Sequence, residues 1–247
     1  LFLPEEGKQW GSFDYSQQEP RLVAHYAASV NEDFSGADEF IEAYKNEAAD
    51  FHQIVADMAG ISRTQAKTIN LGLFYGMGKA KLSKELGISK DAAENLLNKY
   101  HTRVPFVKRL AEAVTGSASK YGFIRTIKGR KCRFDMWEPA TFGMNKAMQY
   151  EEAKAIYGNN IRRAFTYKAL NRLIQGSAAD QTKQAMINCH KNGFEPLLQI
   201  HDELCFSINS EKDINSVKEI MENAIEDLKV PFKVDIALGR SWGEAKE

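Results

Sequence analysis

The sequence predicts an α+β protein in which an antiparallel sheet draws strands from both ends of the chain and a largely helical block is inserted between them. Three observations carry this expectation. Strand-like segments cluster at the ends, at 10–13 and then at 196–200, 204–208 and 232–238. The stretch between them repeats its apolar residues at helical spacing, with glycine at the breaks. The 247 residues, 43% of them apolar, are enough to bury a core shared by both parts.

Along the chain, 10–13 reads as the end of a strand, and the spacing turns helical over 16–30. Ser16-x-x-Glu19 has the form of a capping box, but Pro20 removes a backbone donor from that first turn, which moves the expected helix start to Pro20. Helical patterns follow at 37–58, 63–74, 79–86, 90–100 and 105–121, separated by Gly60, Gly76-Met77-Gly78, Gly87 and Gly122. Residues 123–127 and 131–134 flank Lys128-Gly129-Arg130 as a short hairpin. A longer helix is expected near 166–192, and another at 213–228 among the closing strands.

Net charge is zero, yet the charges are segregated. Residues 61–133 hold 16 Lys and Arg against 4 Asp and Glu, residues 1–60 hold 3 against 12, and residues 134–247 hold 14 against 17. A block that basic suits phosphate-facing electrostatics, and it equally suits a solvated helical surface. Cys132, Cys189 and Cys205 lie too far apart for a zinc motif or a disulfide framework. No apolar run of about eighteen residues and no signal-like start appear, so a cytoplasmic setting without membrane contact is expected. The chain begins Leu1-Phe2-Leu3-Pro4 without methionine, and it reads as part of something larger.

Three motifs carry chemistry. Asp14 ends a strand just before a helix, where a carboxylate serves either as a helix cap or as a ligand for a hard cation. His201-Asp202-Glu203 lies between two apolar strands as the tip of a hairpin, a place that is often merely solvated. Together, two carboxylates from opposite ends of one sheet can hold a pair of magnesium ions about 3.5–4 Å apart, the arrangement that clamps attacking and leaving oxygens in phosphoryl displacement. On the helix at 63–76, Arg63, Lys67, Leu71 and Tyr75 recur every four residues as one stripe. Two cations, an apolar residue and an aromatic suit a nucleoside triphosphate, with Gly72 and Gly76 allowing close approach; an amphipathic surface helix with a glycine stop has the same pattern.

These residues carry a resemblance. Asp-Tyr-Ser-Gln-x-Glu-x-Arg at Asp14 to Arg21, Arg-x-x-x-Lys-x-x-Asn-x-Gly-x-x-Tyr-Gly at Arg63 to Gly76, and His-Asp-Glu at His201 to Glu203 resemble motifs A, B and C of family A DNA polymerases, the bacterial DNA polymerase I class, in the right order. Asp50-Phe51-His52, Thr126-x-x-Gly129-Arg130 and Gln175-Gly176-Ser177-Ala178-Ala179-Asp180 are lesser matches, and the similarity spans nearly the whole chain. The resemblance implies a palm from 1–30 and 161–247, with fingers at 31–160. It implies that Asp14 and Asp202 hold two Mg²⁺ ions, with Glu203 as an auxiliary acid. Arg63, Lys67 and His52 would meet the incoming triphosphate, Lys67 also acting as general acid, while Gln17 and Leu71 belong to the same nucleotide site. Glu19 would exclude a ribose 2′-hydroxyl, and Tyr75 would stand by the templating base. Gln175, Asn171, His201 and Arg130 would contact DNA. The implied partners are primer-template DNA and deoxynucleoside triphosphates, with the thumb and any exonuclease in upstream segments outside this chain.

The sequence also departs from that pattern. Leu71 stands where the family usually has Phe or Tyr, a variant that resembles phage-type members; Pro20 replaces an aliphatic residue; and Tyr167 replaces a frequent arginine, so no DNA contact is assigned to it. Two other classes share parts of the pattern. Single-subunit RNA polymerases have a similar Lys-to-Tyr-Gly helix, but Glu19 and the third residue of His201-Asp202-Glu203 speak against them. A non-catalytic nucleic-acid-binding module would need only the basic block.

Overall fold

The computed structural model of the chain describes residues 2–30, 37–45, 50–74, 77–141 and 146–246. Its central sheet contains β1 (Gln9–Tyr15), β6 (Leu198–Ile200), β7 (Glu203–Ile208) and β8 (Val234–Gly239) in the order β6-β7-β1-β8, with every pair antiparallel. The expected sharing of one sheet by the two ends of the chain is therefore present. The strand nearest the N-terminus lies between two strands from the C-terminal fifty residues. Alternation sorts the side chains: Phe13, Leu204, Phe206 and Ile208 enter the main core, whereas Trp10 and Cys205 pack with Ala245 on the opposite face.

Helices from both ends of the chain cover the core face. α1 (Gln18–Val30) contributes Leu22, Val23 and Ala27, and the 23-residue α9 (Ala169–Lys191) contributes Leu173, Ile174, Ala178, Ala185 and Cys189. α9 also touches α7 (Pro105–Tyr121) and α10 (Glu211–Glu222), so one helix joins the sheet to the helical block. That block is built from α2 (Ala37–Lys45), α3 (Phe51–Ala59), α4 (Arg63–Phe74), α5 (Lys79–Leu86), α6 (Lys90–Arg103) and α7. The hairpin β2 (Phe123–Arg125) with β3 (Lys131–Arg133) then packs on α9 at Gly176, where an added Cβ would stand 2.8 Å from the Thr126 methyl group.

Several expectations are corrected. The helix expected at 37–58 is two helices, because the Asp50 carboxylate accepts from the His52 and Gln53 N–H groups and starts α3 afresh. α1 begins at Gln18 rather than Pro20, which falls in its first turn; the Ser16 N–H goes to the Lys233 carbonyl. The helix expected at 166–192 opens as a 3₁₀ turn at Thr166–Lys168, and α10 ends at Glu222 instead of residue 228. Residues 135–165 received no assignment from periodicity and contain β4 (Trp137–Pro139), α8 (Tyr150–Tyr157) and β5 (Ile161–Arg163). Strands of three residues are too short to show alternation; Trp137 links this unit through Tyr150 at 5.0 Å and the Arg163 guanidinium at 4.6 Å. Among the described residues, no helix is long and apolar enough to cross a membrane.

The rings of Phe13 and Phe206 meet edge to face at 5.6 Å, both essentially without solvent exposure. Each truncation to alanine is expected to cost about 3–5 kcal/mol. Because the rings touch, the double substitution should cost less than the sum of the two singles in chemical denaturation, whereas strict additivity would mean that their contact contributes nothing.

Candidate active site

Asp14 is the penultimate residue of β1 and lies opposite Glu203 of β7 and Asp235 of β8. Since Phe13 and Tyr15 are buried in the core, the strand's alternation turns Asp14 to the other face. Along that face the Trp10 indole donates to Ser12 Oγ, Ser12 meets the Cys205 thiol, and the thiol donates to Glu203 Oε1 at 3.3 Å. Glu203 is only 3% exposed and opens β7, so it does not share the hairpin tip expected for it. The turn belongs to His201, in the left-handed region at φ 54°, and to Asp202, whose carbonyl accepts from the Tyr15 N–H at 3.4 Å. That bond ties the turn to the end of β1, and thereby Asp202 to the strand that carries Asp14.

A cleft of about 570 Å³ opens beside this turn. Its walls include Gln17, Gln18 and Glu19 at the start of α1, His52 of α3, Gln175 of α9, and His201 with Asp202. Residues from four distant parts of the sequence thus share one cavity. The Gln18 side chain fixes two of its walls, lying 3.1–3.3 Å from Gln181 Oε1, Thr182 Oγ1 and the Ala178 carbonyl. Burial, and behind it the charge of Asp202, raises the Glu19 carboxyl above the ordinary glutamate range, against a hydrogen bond with Gln175 that lowers it. Glu19 therefore interacts with both Asp202 and Gln175.

The second half of the site stands on α3 and α4. Ala66, Ile69 and Asn70 face inward on α4, which turns Arg63 and Lys67 outward into solvent. Arg63 Nε is 2.7 Å from Asp50 Oδ2, so the residue that caps α3 also holds the first cation. Burial keeps the His52 imidazole below its ordinary range, the neighbouring Arg63 and Lys67 charges lower it further, and Asp50 opposes them. The two cations are thus close enough to act on the histidine. The side chain of Leu71, and Tyr75 with Gly76, lie outside the described residues. At Gly72 the close approach is to the Met77 side chain, 2.7 Å from a would-be Cβ.

Two expected DNA contacts stand apart from the cleft lining. Arg130 donates to Asp180 and to the Gly176 carbonyl across the hairpin–α9 contact, while its side chain stays about half exposed. Asn171 Nδ2 is buried without a partner among the described residues. Asp50 and Asn70 stand in the quoted motifs without a role of their own, and Tyr100 stands in none. A polar Asn70 on the same inward face as Ala66 and Ile69 was the available signal.

Among the described residues, no three His, Cys, Asp or Glu side chains are gathered as a ready metal cage. The carboxylates of Asp14 and Asp202 nevertheless fit Mg²⁺, a hard cation that takes one or two carboxylates and completes its shell with water and substrate phosphates.

The chain matches the DNA polymerase family A profile over residues 1–244. It is 37% identical to a DNA-directed DNA polymerase of Pseudomonas phage M6 over 99% of its own length and 40% of that protein's. With DNA polymerase I of Lactococcus lactis subsp. cremoris it shares 34% identity over 99% of this chain and 27% of the relative. Among solved structures it is similar to the POL domain of Pol1 from M. smegmatis in complex with DNA primer-template and dNTP, with a TM-score of 0.76, 31% identity, and coverage of 100% of this chain and 42% of the other. This chain belongs to DNA polymerase family A, and it spans two-fifths or less of the length of these two curated relatives.

Asp50 supports both α3 and Arg63, which allows a direct test. Burial pushes its carboxyl up, but the hydrogen bond from Arg63 and two backbone N–H groups hold it below the ordinary aspartate range. A depressed carboxyl stabilises the fold above its unfolded-state pKa and loses that contribution as pH falls through its folded-state value. Asp50→Ala should therefore cost about 1 kcal/mol at neutral pH, and the deficit should shrink on acidification below the ordinary aspartate range. Thermal denaturation at a series of pH values measures this; a deficit independent of pH would show that the charge has no part in it.

Proposed function

We propose that this chain is the polymerising core of a DNA-directed DNA polymerase, adding deoxynucleotides to a primer 3′-hydroxyl on a DNA template. The observation that carries the reading is the joining of Asp202 to the end of the strand that bears Asp14, beside a cleft that also receives Glu19, His52 and Gln175. In this reading the sheet-bearing parts, 1–30 and 161–247, are the palm, and 31–160 are the fingers.

Asp14 and Asp202 hold the metal pair, and Glu203 stands beside them as an auxiliary acid whose carboxylate is already engaged by Cys205. Ions held by these carboxylates would supply Lewis-acid charge to the attacking hydroxyl and the phosphate oxygens. The side chains do the rest by placement. Arg63 and Lys67 meet the triphosphate from the exposed face of α4, with Lys67 positioned to protonate the leaving pyrophosphate; His52 donates to the same phosphates from the cleft wall. Gln17 completes the nucleotide's surroundings, and Leu71 and Tyr75 follow the cations along α4 toward the sugar and base. Glu19 occupies the cleft where a ribose would carry its 2′-hydroxyl, next to the metal-binding Asp202. Gln175, Asn171, His201 and Arg130 receive primer and template, and the buried amide of Asn171, without a partner among the described residues, supports a contact with an acceptor outside this chain. Holding the reactants in line in this way supplies most of the rate.

Asp14→Asn or Asp202→Asn in the full-length enzyme should lower single-nucleotide incorporation by roughly a thousandfold or more while primer-template binding is largely kept. Rapid-quench incorporation and a DNA-binding titration measure the two quantities. Extension near the normal rate by either variant would remove the carboxylate assignment.

A further inference from the structure

The packing behind His52 fixes more than the position of its ring. Three helices meet there. Tyr100 of α6 places its hydroxyl oxygen 2.6 Å from Asn70 Oδ1, and Asn70 of α4 places Nδ2 3.1 Å from Nδ1 of His52 on α3. Tyr100 and Asn70 have no solvent exposure, and His52 has 9%.

The distances determine the direction of each bond. A separation of 2.6 Å lies in the range of O–H···O bonds and below that of N–H···O bonds, so the phenol donates and the amide oxygen accepts. With the amide turned round, an N–H would have to reach the phenol oxygen at that distance, and the buried phenol proton would have no acceptor among the described residues. Burial raises the Tyr100 phenol far above its ordinary range, so it keeps this proton at any physiological pH. Asn70 must then present its NH₂ to His52. A ring nitrogen that accepts carries no proton, and a neutral imidazole with a bare Nδ1 carries its proton on Nε2.

We infer that Tyr100 and Asn70 form a buried relay that holds His52 as the neutral tautomer protonated on Nε2, so that the ring donates to the triphosphate from the cleft wall. The assignment of a phosphate partner to His52 rests on the proposed function; the relay itself does not. Asn70 and Tyr100 are positioning residues acting through His52. Among the described residues, the charged groups that act on the ring include Asp50, Arg63 and Lys67. The first is paired with Arg63, and the other two are cations that the proposed function assigns to the triphosphate, so a neutral donor adds a hydrogen bond without a third positive charge. Because Asn70 lies on the same helix as Arg63 and Lys67, the relay also ties the histidine to the element that carries the cations.

The test uses the full-length protein labelled with ¹⁵N-histidine. Long-range ¹H–¹⁵N correlation spectra, with His52 identified by its loss in His52→Gln, should show Nδ1 unprotonated and Nε2 protonated. Asn70→Asp replaces the donor by an acceptor and should move the proton to Nδ1, and Tyr100→Phe should give a mixture of the two forms. Binding of 2′-deoxyadenosine triphosphate opposite a templating thymine should weaken about tenfold or more in Asn70→Asp. His52→Gln, whose amide can donate from near the Nε2 position, should bind more tightly than His52→Ala. Should Asn70→Asp fail to fold, Tyr100→Phe reads the tautomer alone. A ring protonated on Nδ1 in the unsubstituted protein overturns the relay whatever the binding data. The expected tautomer shift with unchanged nucleotide affinity overturns the phosphate reading of His52 and leaves the relay standing.

Discussion

The antiparallel register of β1 against β7 is the constraint from which the site follows. It pairs Asp14 with Glu203, about three-quarters of the chain apart in sequence, and the bond from the Tyr15 N–H to the Asp202 carbonyl closes the same end of the ladder. A shift of one residue would turn Asp14 into the core and Phe13 out of it, and the edge-to-face contact of Phe13 with Phe206 resists that shift. The hydrophobic sorting of the sheet and the placing of its carboxylates are therefore one event. The order of the strands adds to this, since β1 is interior and has a neighbour on each side to fix it.

The helical block depends on the sheet through α9 and organises itself around small polar locks. Asp50 caps α3 and holds Arg63, Asn70 joins α3, α4 and α6, and Gln18 ties the start of α1 to α9. Each lock is a buried or half-buried polar group with its partners supplied, and such groups specify a single arrangement because a slipped alternative would leave them unpaired. They also explain how a chain of zero net charge carries a cationic face. The inward positions of α4 are filled by Ala66, Ile69 and Asn70, which leaves Arg63 and Lys67 no direction except outward.

Much of this was legible in the sequence. α4, α5 and α7 fall on their expected spans because apolar spacing and glycine stops agree there, and the sheet shared by both ends followed from where the strand-like segments lie. The division at Asp50 was not legible, since a capping aspartate inside a continuous helical period does not interrupt that period. The unit at 137–163 was hidden by the shortness of its strands, and its aromatic and cation contacts leave no periodic trace. Within the site, the carboxylates, Glu19, His52, the two cations and Asn70 stood in motifs, but the hydrogen-bond chain that joins Asn70 to Tyr100 and His52 crosses three helices, and spacing along one helix does not reveal it. The burial of Glu203 was missed for a related reason, because a polar triplet between two strands reads as a turn until the register shows that its last residue is inside the ladder.

The proposed function requires the β1–β7 register to gather carboxylates that hold a pair of divalent ions on a bound nucleotide. Counting Mn²⁺ ions by electron paramagnetic resonance tests it most directly. The complex would contain the full-length protein, a chain-terminated primer-template and the matching deoxynucleoside triphosphate, with the same complexes of Asp14→Asn and Asp202→Asn for comparison. About two tightly bound ions in the unsubstituted complex, and fewer in each variant at equal occupancy of DNA and nucleotide, is the predicted result. An unchanged count in both variants would contradict the account.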